Sequence, residues 1–390
     1  MIFRKEITES LTLKFGEAVT ERKKRGEDIL SLGLGEPDFL TPVELLEALK
    51  KVTIDGASSK YSASLGLASL RQKIAVDLKE RNGINCTKNN IIITPGTKQA
   101  LMLSLMALLE PGDEVIVVVP AYVSYVSQVY LAEPDAVIRF VELNKTDYRL
   151  DLEEVERTIT EHTKAIIINT PHNPTGCMID ERELKRLYEI TSNKNIYILS
   201  DEIYDKLVFG KITHFSIGSL EDFTSRVITL GGFGKTLAIT GWRIGYACIP
   251  ESLMPKINIL QQHINTNTST IIQMAIDTAW PLPDGHLTGY IQKLKSRVQL
   301  YTEFLKNNPI LSGSNPSGTF FVFVNIEKLK VDSVTFSSKL VDKTGVATTP
   351  GIAFGKQWDD HIRLSLAIET ELLIEAFKRV SIFIKEESWK

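Results

Sequence analysis

Cysteine is scarce in this chain of 390 residues: three, at Cys86, Cys177 and Cys248, odd in number and far apart. That spacing gives neither a disulfide framework nor a zinc-ligand pattern, and it suits a reducing compartment. Long apolar runs are missing too, since no stretch approaches the roughly 20 apolar residues of a membrane span. The start, Met1-Ile-Phe-Arg-Lys-Glu6, turns charged at once and has no apolar h-region. Charge of one sign is also lacking. The formal net charge is −3, so nothing electrostatic invites nucleic acid or an anionic membrane. Lys/Arg-rich stretches such as Glu21-Arg-Lys-Lys-Arg25 read as solvated helix faces. The expected address is the cytoplasm, with no metal, no nucleic-acid partner and no membrane partner.

What is present is an ordinary globular composition, 43% hydrophobic and 24% charged. The length exceeds the size at which a single core stops growing, which predicts two domains. Between about residues 88 and 250, short Ile/Val runs alternate with amphipathic stretches. Strands are predicted over 90–94, 114–119, 136–141, 164–168, 196–199, 227–230 and 243–248, with helices over 98–109, 152–161 and 181–192. Continuous apolar strands separated by helices predict an α/β fold with a mostly parallel sheet covered on both faces. After about residue 288 the texture changes, with helices over 289–307, 333–342 and 369–385 and strands over 320–325 and 361–365. The expected division is a large domain, 42–288, and a smaller α+β domain, 1–41 plus 289–390. The region 265–290 is less typical and is a candidate for private specificity.

The segment Leu230-Gly-Gly-Phe-Gly-Lys235, continued to Gly241-Trp-Arg243, carries the chemistry. Glycines around Lys235 allow a bound molecule to come close, and Arg243, eight residues on, can hold an anion bidentately. An amine able to capture a carbonyl beside a phosphate clamp is what a pyridoxal phosphate (PLP) site requires. The rival reading of Gly234-Lys235-Thr236 is a nucleotide-binding P-loop, but that motif needs glycine where Thr229 stands. Gly33-Leu-Gly35 is a poor dinucleotide signal, because the third glycine would fall at Asp38.

Four further elements lie at predicted strand ends. Asn169-Thr-Pro-His-Asn173-Pro-Thr-Gly176 reads as a turn, or as a site in which Asn173 offers an amide donor. Asp201, in Ser200-Asp-Glu-Ile-Tyr204, is an acid costly to bury without a cationic partner; it can cap a helix or pair with a protonated pyridine nitrogen. Thr94-Pro-Gly96-Thr97-Lys98 opens an apolar helix, so the amides of Gly96 and Thr97 form an anion site. Tyr122, after Pro120, can stack on a flat ring or simply pack.

Together with Leu34-Gly-Glu-Pro-Asp-Phe39, Lys60-Tyr61, Pro111-Gly-Asp-Glu-Val115, Pro316-Ser-Gly318 and His361-Ile-Arg-Leu-Ser365, these motifs run nearly end to end. In number and order the chain resembles a class I/II aminotransferase, a PLP-dependent enzyme of fold type I, aspartate aminotransferase-like. The resemblance implies Lys235 as the covalent attachment and proton carrier, and Asp201 on the pyridine nitrogen. It implies Asn173 and Tyr204 on the ring hydroxyl, Tyr122 on the ring face, and Gly96, Thr97 and Arg243 on the phosphate. Tyr61 would come from the neighbouring subunit of a homodimer with shared active sites. Arg363 would clamp the substrate α-carboxylate, helped by Gly35 and Asn173, and the Asn173–Pro174 bond would be cis. Amino acids and 2-oxo acids are the implied substrates of a ping-pong reaction. Lys98 is a candidate for an acidic substrate side chain, or else faces phosphate or solvent; Tyr125 is a candidate to reach the same pocket. Acidic or aromatic donors are therefore expected. Lyases, cyclases and synthases share these motifs, and a ligand-sensing regulator is a remoter alternative. Where many relatives carry serines before the lysine, this chain has Gly232 and Gly234, which shifts phosphate binding onto Arg243 and the 96–97 backbone.

Overall fold

The computed structural model describes residues 7, 9–210, 213–220, 226–387 and 389; the charged run Met1–Glu6 lies outside them. After β1 (Leu30–Ser31) come the strands of a seven-stranded sheet: β2 (Ile91–Thr94), β3 (Glu114–Val119), β4 (Val137–Glu142), β5 (Thr163–Asn169), β6 (Tyr197–Asp201), β7 (Val227–Gly232) and β8 (Gly245–Cys248). Their spatial order is β2-β8-β7-β6-β5-β3-β4. β3 through β7 run parallel, and β8 is antiparallel to both β7 and β2. Strands such as β3, Glu-Val-Ile-Val-Val-Val, are buried along their whole length because helices cover both faces.

The antiparallel β8 decides where the chemistry falls. Since β7 and β8 are neighbours, residues 233–244 form one connection that leaves the carboxyl end of β7 and returns to the same edge. Lys235 and Arg243 therefore share a loop. No α-helix follows Lys235 there, only the 3-10 turn Thr240–Trp242, which excludes the P-loop. The strand expected from Arg243 begins only at Gly245; Arg243 itself is left-handed, at φ 54° and ψ 60°.

Helix ends follow their caps. Asp180 and Glu183 form a capping box that starts Glu181–Ser192, and the Asp151 side chain caps Leu152–Thr158. The latter stops short of residue 161, because the amide of Thr160 instead donates to the Thr163 hydroxyl that leads into β5.

β9 (Ser312–Gly313), β10 (Phe321–Asn325), β12 (Thr349–Pro350) and β13 (His361–Ser365) form a four-stranded sheet, and β11 (Val346–Ala347) pairs with β1. Helices Gly285–Asn307, Ser333–Thr344 and Thr370–Glu386 enclose a second core around Phe320, Phe321, Phe336 and Phe377. Phe321 pairs with Ser365 and Phe323 with Arg363, so β13 carries Arg363 out of this core toward the main sheet. No helix among the described residues is long and apolar enough to cross a membrane, and no cluster of His, Cys, Asp or Glu among them could hold a metal ion.

Candidate active site

Lys235 sits in the β7–β8 connection, half-buried, with its ammonium 5.9 Å from the ring centre of Tyr204 and 5.7 Å from that of Phe320. It donates to the carbonyl of Gly35. Burial pulls the amine from its ordinary 10.5 to about 8; Glu36 opposes the fall, and the positive charges of Arg363 and Arg243 add to it. Ala238 and Arg243 both hold left-handed φ values, 52° and 54°, a cost that tends to persist where a site requires it.

Arg243 returns beside the helix Thr97–Leu108. A Cβ on Gly96 would stand 2.9 Å from Nη2 of Arg243, and one on Gly245 would stand 2.7 Å from the Thr97 nitrogen. Two glycines thus let a guanidinium and a helix N-terminus approach each other. The Gly96 amide is not free as expected from the sequence: it donates to the Thr94 carbonyl across 2.7 Å. Gly96 contributes room, and the helix-opening Thr97 amide, which has no intrahelical acceptor, is left available as a donor. Tyr61 is 86% exposed on its own chain.

Asp201 ends β6, buried. Its Oδ2 accepts from the Tyr125 hydroxyl at 2.8 Å and its Oδ1 from the Ile203 amide at 3.2 Å. Burial lifts its pKa to about 6, against the lowering by these two donors. Tyr204, also buried, meets Phe320 and Phe321 edge-on. Tyr122 meets Tyr125 edge-on at 5.5 Å, and the ammonium of Lys98 lies 5.7 Å from the centre of the Tyr122 ring. Lys98 is exposed and makes no ion pair among the described residues.

Arg363 is buried and likewise without a carboxylate partner among the described residues. It donates to Oδ1 of Asn173 at 3.1 Å, to the Gly33 carbonyl at 2.8 Å and to the Thr349 hydroxyl at 3.3 Å. Its guanidinium lies 4.2 Å from the ring centre of Phe321 and 5.0 Å from that of Phe354. Nε is buried with no partner, and burial lowers the pKa to about 10. The Asn173–Pro174 bond is cis.

A family model described as aminotransferase class I and II matches residues 27–380. The chain belongs to this family. The aminotransferase is 35% identical to the aspartate aminotransferase of Bacillus subtilis (strain 168), with 98% of each chain covered. It is 34% identical to the aromatic-amino-acid aminotransferase 2 of Thermococcus litoralis, with 93% of each covered. The aspartate aminotransferase of Thermus thermophilus, solved with maleate, superposes with a TM-score of 0.91 at 33% identity, covering 96% of this chain and 97% of that one. Class I/II aminotransferases use PLP.

The candidate site of this aminotransferase also contains a residue to which the sequence reading gave no role. Asn169, opposite Asp201 in the β5–β6 register, donates from Nδ2 to the Asp201 carbonyl at 2.7 Å and accepts the Asn173 amide at 2.7 Å. A polar residue ending an Ile run was the available signal. Tyr125, a candidate to reach the substrate pocket, donates its hydroxyl to Asp201. Of the two glycines that replace serines, Gly234 has room for a Cβ, its nearest neighbour being 3.5 Å away; at Gly232 a Cβ would meet Ile203 Cδ1 at 2.9 Å and Gly245 Cα at 3.3 Å.

Proposed function

We propose that this aminotransferase moves the amino group of an acidic L-amino acid to a 2-oxo acid in two successive half-reactions, a ping-pong scheme on one site. The observation that carries the reading is the pair of cations lacking a carboxylate partner among the described residues, buried Arg363 and exposed Lys98. A buried cation without a counter-ion is costly, and a ligand with two carboxylates would answer both charges. The names of the relatives, and the dicarboxylate maleate in the Thermus thermophilus structure, support the same donor class. The aromatic-amino-acid relative keeps aromatic donors as the second candidate, with Tyr122 beneath Lys98 as the aromatic surface.

The chain's residues fit PLP. The space that a Cβ at Gly96 would fill, beside Arg243 and the Thr97 amide, suits the phosphate; buried Asp201 suits a cationic ring nitrogen, and the lowered Lys235 amine suits capture of an aldehyde. When bound, the cofactor supplies an electron sink for the substrate carbon that loses its proton.

The chain's own groups do the rest. Lys235, close enough to neutrality to exchange protons, would take the proton from the substrate Cα and hand it to the cofactor's former aldehyde carbon within the same half-reaction, and would carry it the opposite way in the second. Asp201 keeps the ring nitrogen protonated. Asn173 and Tyr204 donate to the ring oxygen, and Tyr122 covers the ring face. Arg363, with Gly35 and Asn173, fixes the α-carboxylate so that the Cα–H bond is presented to Lys235. Tyr61 completes the phosphate site from a second subunit. That homodimer is supported by the outward-facing Tyr61, 86% exposed, and Leu40, 89% exposed, since apolar surface of this kind marks an interface. The second core, drawn mainly from Leu30, Leu32 and residues beyond 289, supports the division into 42–288 and 1–41 plus 289–390, with Tyr204, Leu207 and Leu287 entering it from the larger part. A cytoplasmic address fits the unpaired cysteines.

The test is the single half-reaction: PLP-loaded enzyme with L-aspartate, L-glutamate, L-phenylalanine or L-alanine, no oxo acid, and quantification of the 2-oxo acid released. Acidic donors should react fastest, and Lys98→Met should slow them selectively. Fastest release from L-phenylalanine, unmoved by Lys98→Met, would reject the acidic preference.

A further inference from the structure

Tyr125 belongs to none of the roles assigned above, yet it touches the most deeply placed acid of the site. It lies in the helix Ser124–Ala132, 3% exposed, and its hydroxyl is 2.8 Å from Oδ2 of Asp201. We propose that Tyr125 is a positioning residue that holds the Asp201 carboxylate ionised and turned toward the cofactor's ring nitrogen. The inference rests on the role given above to Asp201.

A carboxylate buried at a strand end favours its neutral form unless donors reach it. Two do so here, one on each oxygen: the Ile203 amide on Oδ1 and the Tyr125 hydroxyl on Oδ2. The backbone donor is fixed by the turn after β6, so Tyr125 is the side chain on which the balance depends. The other groups facing Asp201 divide by sign. Lys235, from the β7–β8 connection, favours its ionised form, and neighbouring Glu202 opposes it. Glu202 is itself engaged by Ser200, Ser216 and His214. Tyr204 also lies within reach of the Asp201 charge.

A phenol suits the task. Burial and the adjacent carboxylate push the Tyr125 hydroxyl well above its ordinary 10, so it remains a proton donor throughout the working range of the enzyme. Its carboxylate acceptor rules out the reverse polarity whenever Asp201 is ionised. Fixing Oδ2 from the helix side also fixes the plane of the carboxyl group, because Oδ1 is already held from the strand side. If Tyr125 only filled space, Tyr125→Phe would change neither the charge nor the orientation of Asp201.

The experiment is infrared titration of the carboxyl band that Asp201→Asn removes, in cofactor-free wild type and Tyr125→Phe, with the pH dependence of PLP affinity measured alongside by equilibrium dialysis. In wild type the band should titrate near pH 6. In Tyr125→Phe it should move upward by about one to two pH units, the worth of one hydrogen bond to a charged acceptor, and the acid limb of PLP binding should move the same way. Should Tyr125→Phe fail to fold, fluorotyrosine placed at 125, a stronger donor of similar shape, should move the band downward. A band that ignores both changes reduces Tyr125 to packing and overturns the proposal. Asp201→Asn protein with undiminished PLP affinity and transfer activity is a different failure, because it would remove the underlying role of Asp201.

Discussion

Nη1 of Arg363 donates to Oδ1 of Asn173 across 3.1 Å, tying a strand of the small sheet to the turn after β5. The residue proposed to hold the substrate carboxylate therefore also steadies the residue proposed to hold the ring oxygen. A lysine at 363 cannot keep Asn173, Gly33 and a carboxylate in one planar fork. Arg363→Lys is expected to lower kcat/KM for every amino donor by roughly ten- to hundredfold, mainly through KM, in steady-state assays.

Lys235 offers a prediction about stability. Its folded pKa, about 8, lies below the ordinary 10.5, so between those values the unfolded chain binds more protons than the folded one. Stability from this group rises with pH across that window and is lowest below it. Cofactor-free Lys235→Met should melt higher than cofactor-free wild type at neutral pH, and the gap should narrow as pH climbs from about 8 toward 10.5. A gap that stays constant with pH would show that the amine is not perturbed by burial.

Three glycines can be separated by experiment. Gly96→Ala places a Cβ 2.9 Å from Arg243 in a backbone at φ +81°, and should weaken PLP binding by about tenfold or more with about 1 kcal/mol of stability lost. Gly232→Ser should also cost about 1 kcal/mol through crowding of Ile203 and Gly245. Gly234→Ser has the space, and its hydroxyl should tighten PLP binding about threefold. Equilibrium dialysis and urea denaturation distinguish the three.

Much of this could be read before the structure. The Ile/Val runs marked the buried strands because a sheet covered on both faces needs apolar residues without alternation. The amphipathic stretches between them marked the helices that the structure starts at Leu152 and Glu181. Lys235 and Arg243 were prominent as two cations in one glycine-rich segment, Asp201 as an acid costly to bury at the end of an apolar strand, and Asn173 as an amide whose backbone Pro174 fixes. What escaped the sequence depends on pairing. Asn169 matters because register sets it opposite Asp201, and Tyr125 because its helix packs its hydroxyl against that acid. The antiparallel turn of β8 is likewise settled by strands distant in the chain, whereas the Gly96 amide is taken by a local turn, through the Thr94 carbonyl two residues back.

Arg297 is 1% exposed and pairs through both terminal nitrogens with Asp38, at 3.0 and 2.7 Å. Asp38 follows directly on the segment whose carbonyls at Gly33 and Gly35 receive Arg363 and Lys235. Asp38→Asn leaves a buried cation without its partner and should cost about 3 kcal/mol, read as a lower urea midpoint. KM for the amino donor should rise as well, because the strap that borders both cations is loosened.

The hydrogen bond from Arg363 to Gly33 spans 330 residues. During synthesis the ribosome must therefore release the chain through Arg363 before the proposed carboxylate clamp can exist, although β2 to β8 can pair earlier. Domains generally fold as units as they emerge, so a nascent chain could acquire its cofactor pocket while still unable to grip an amino acid.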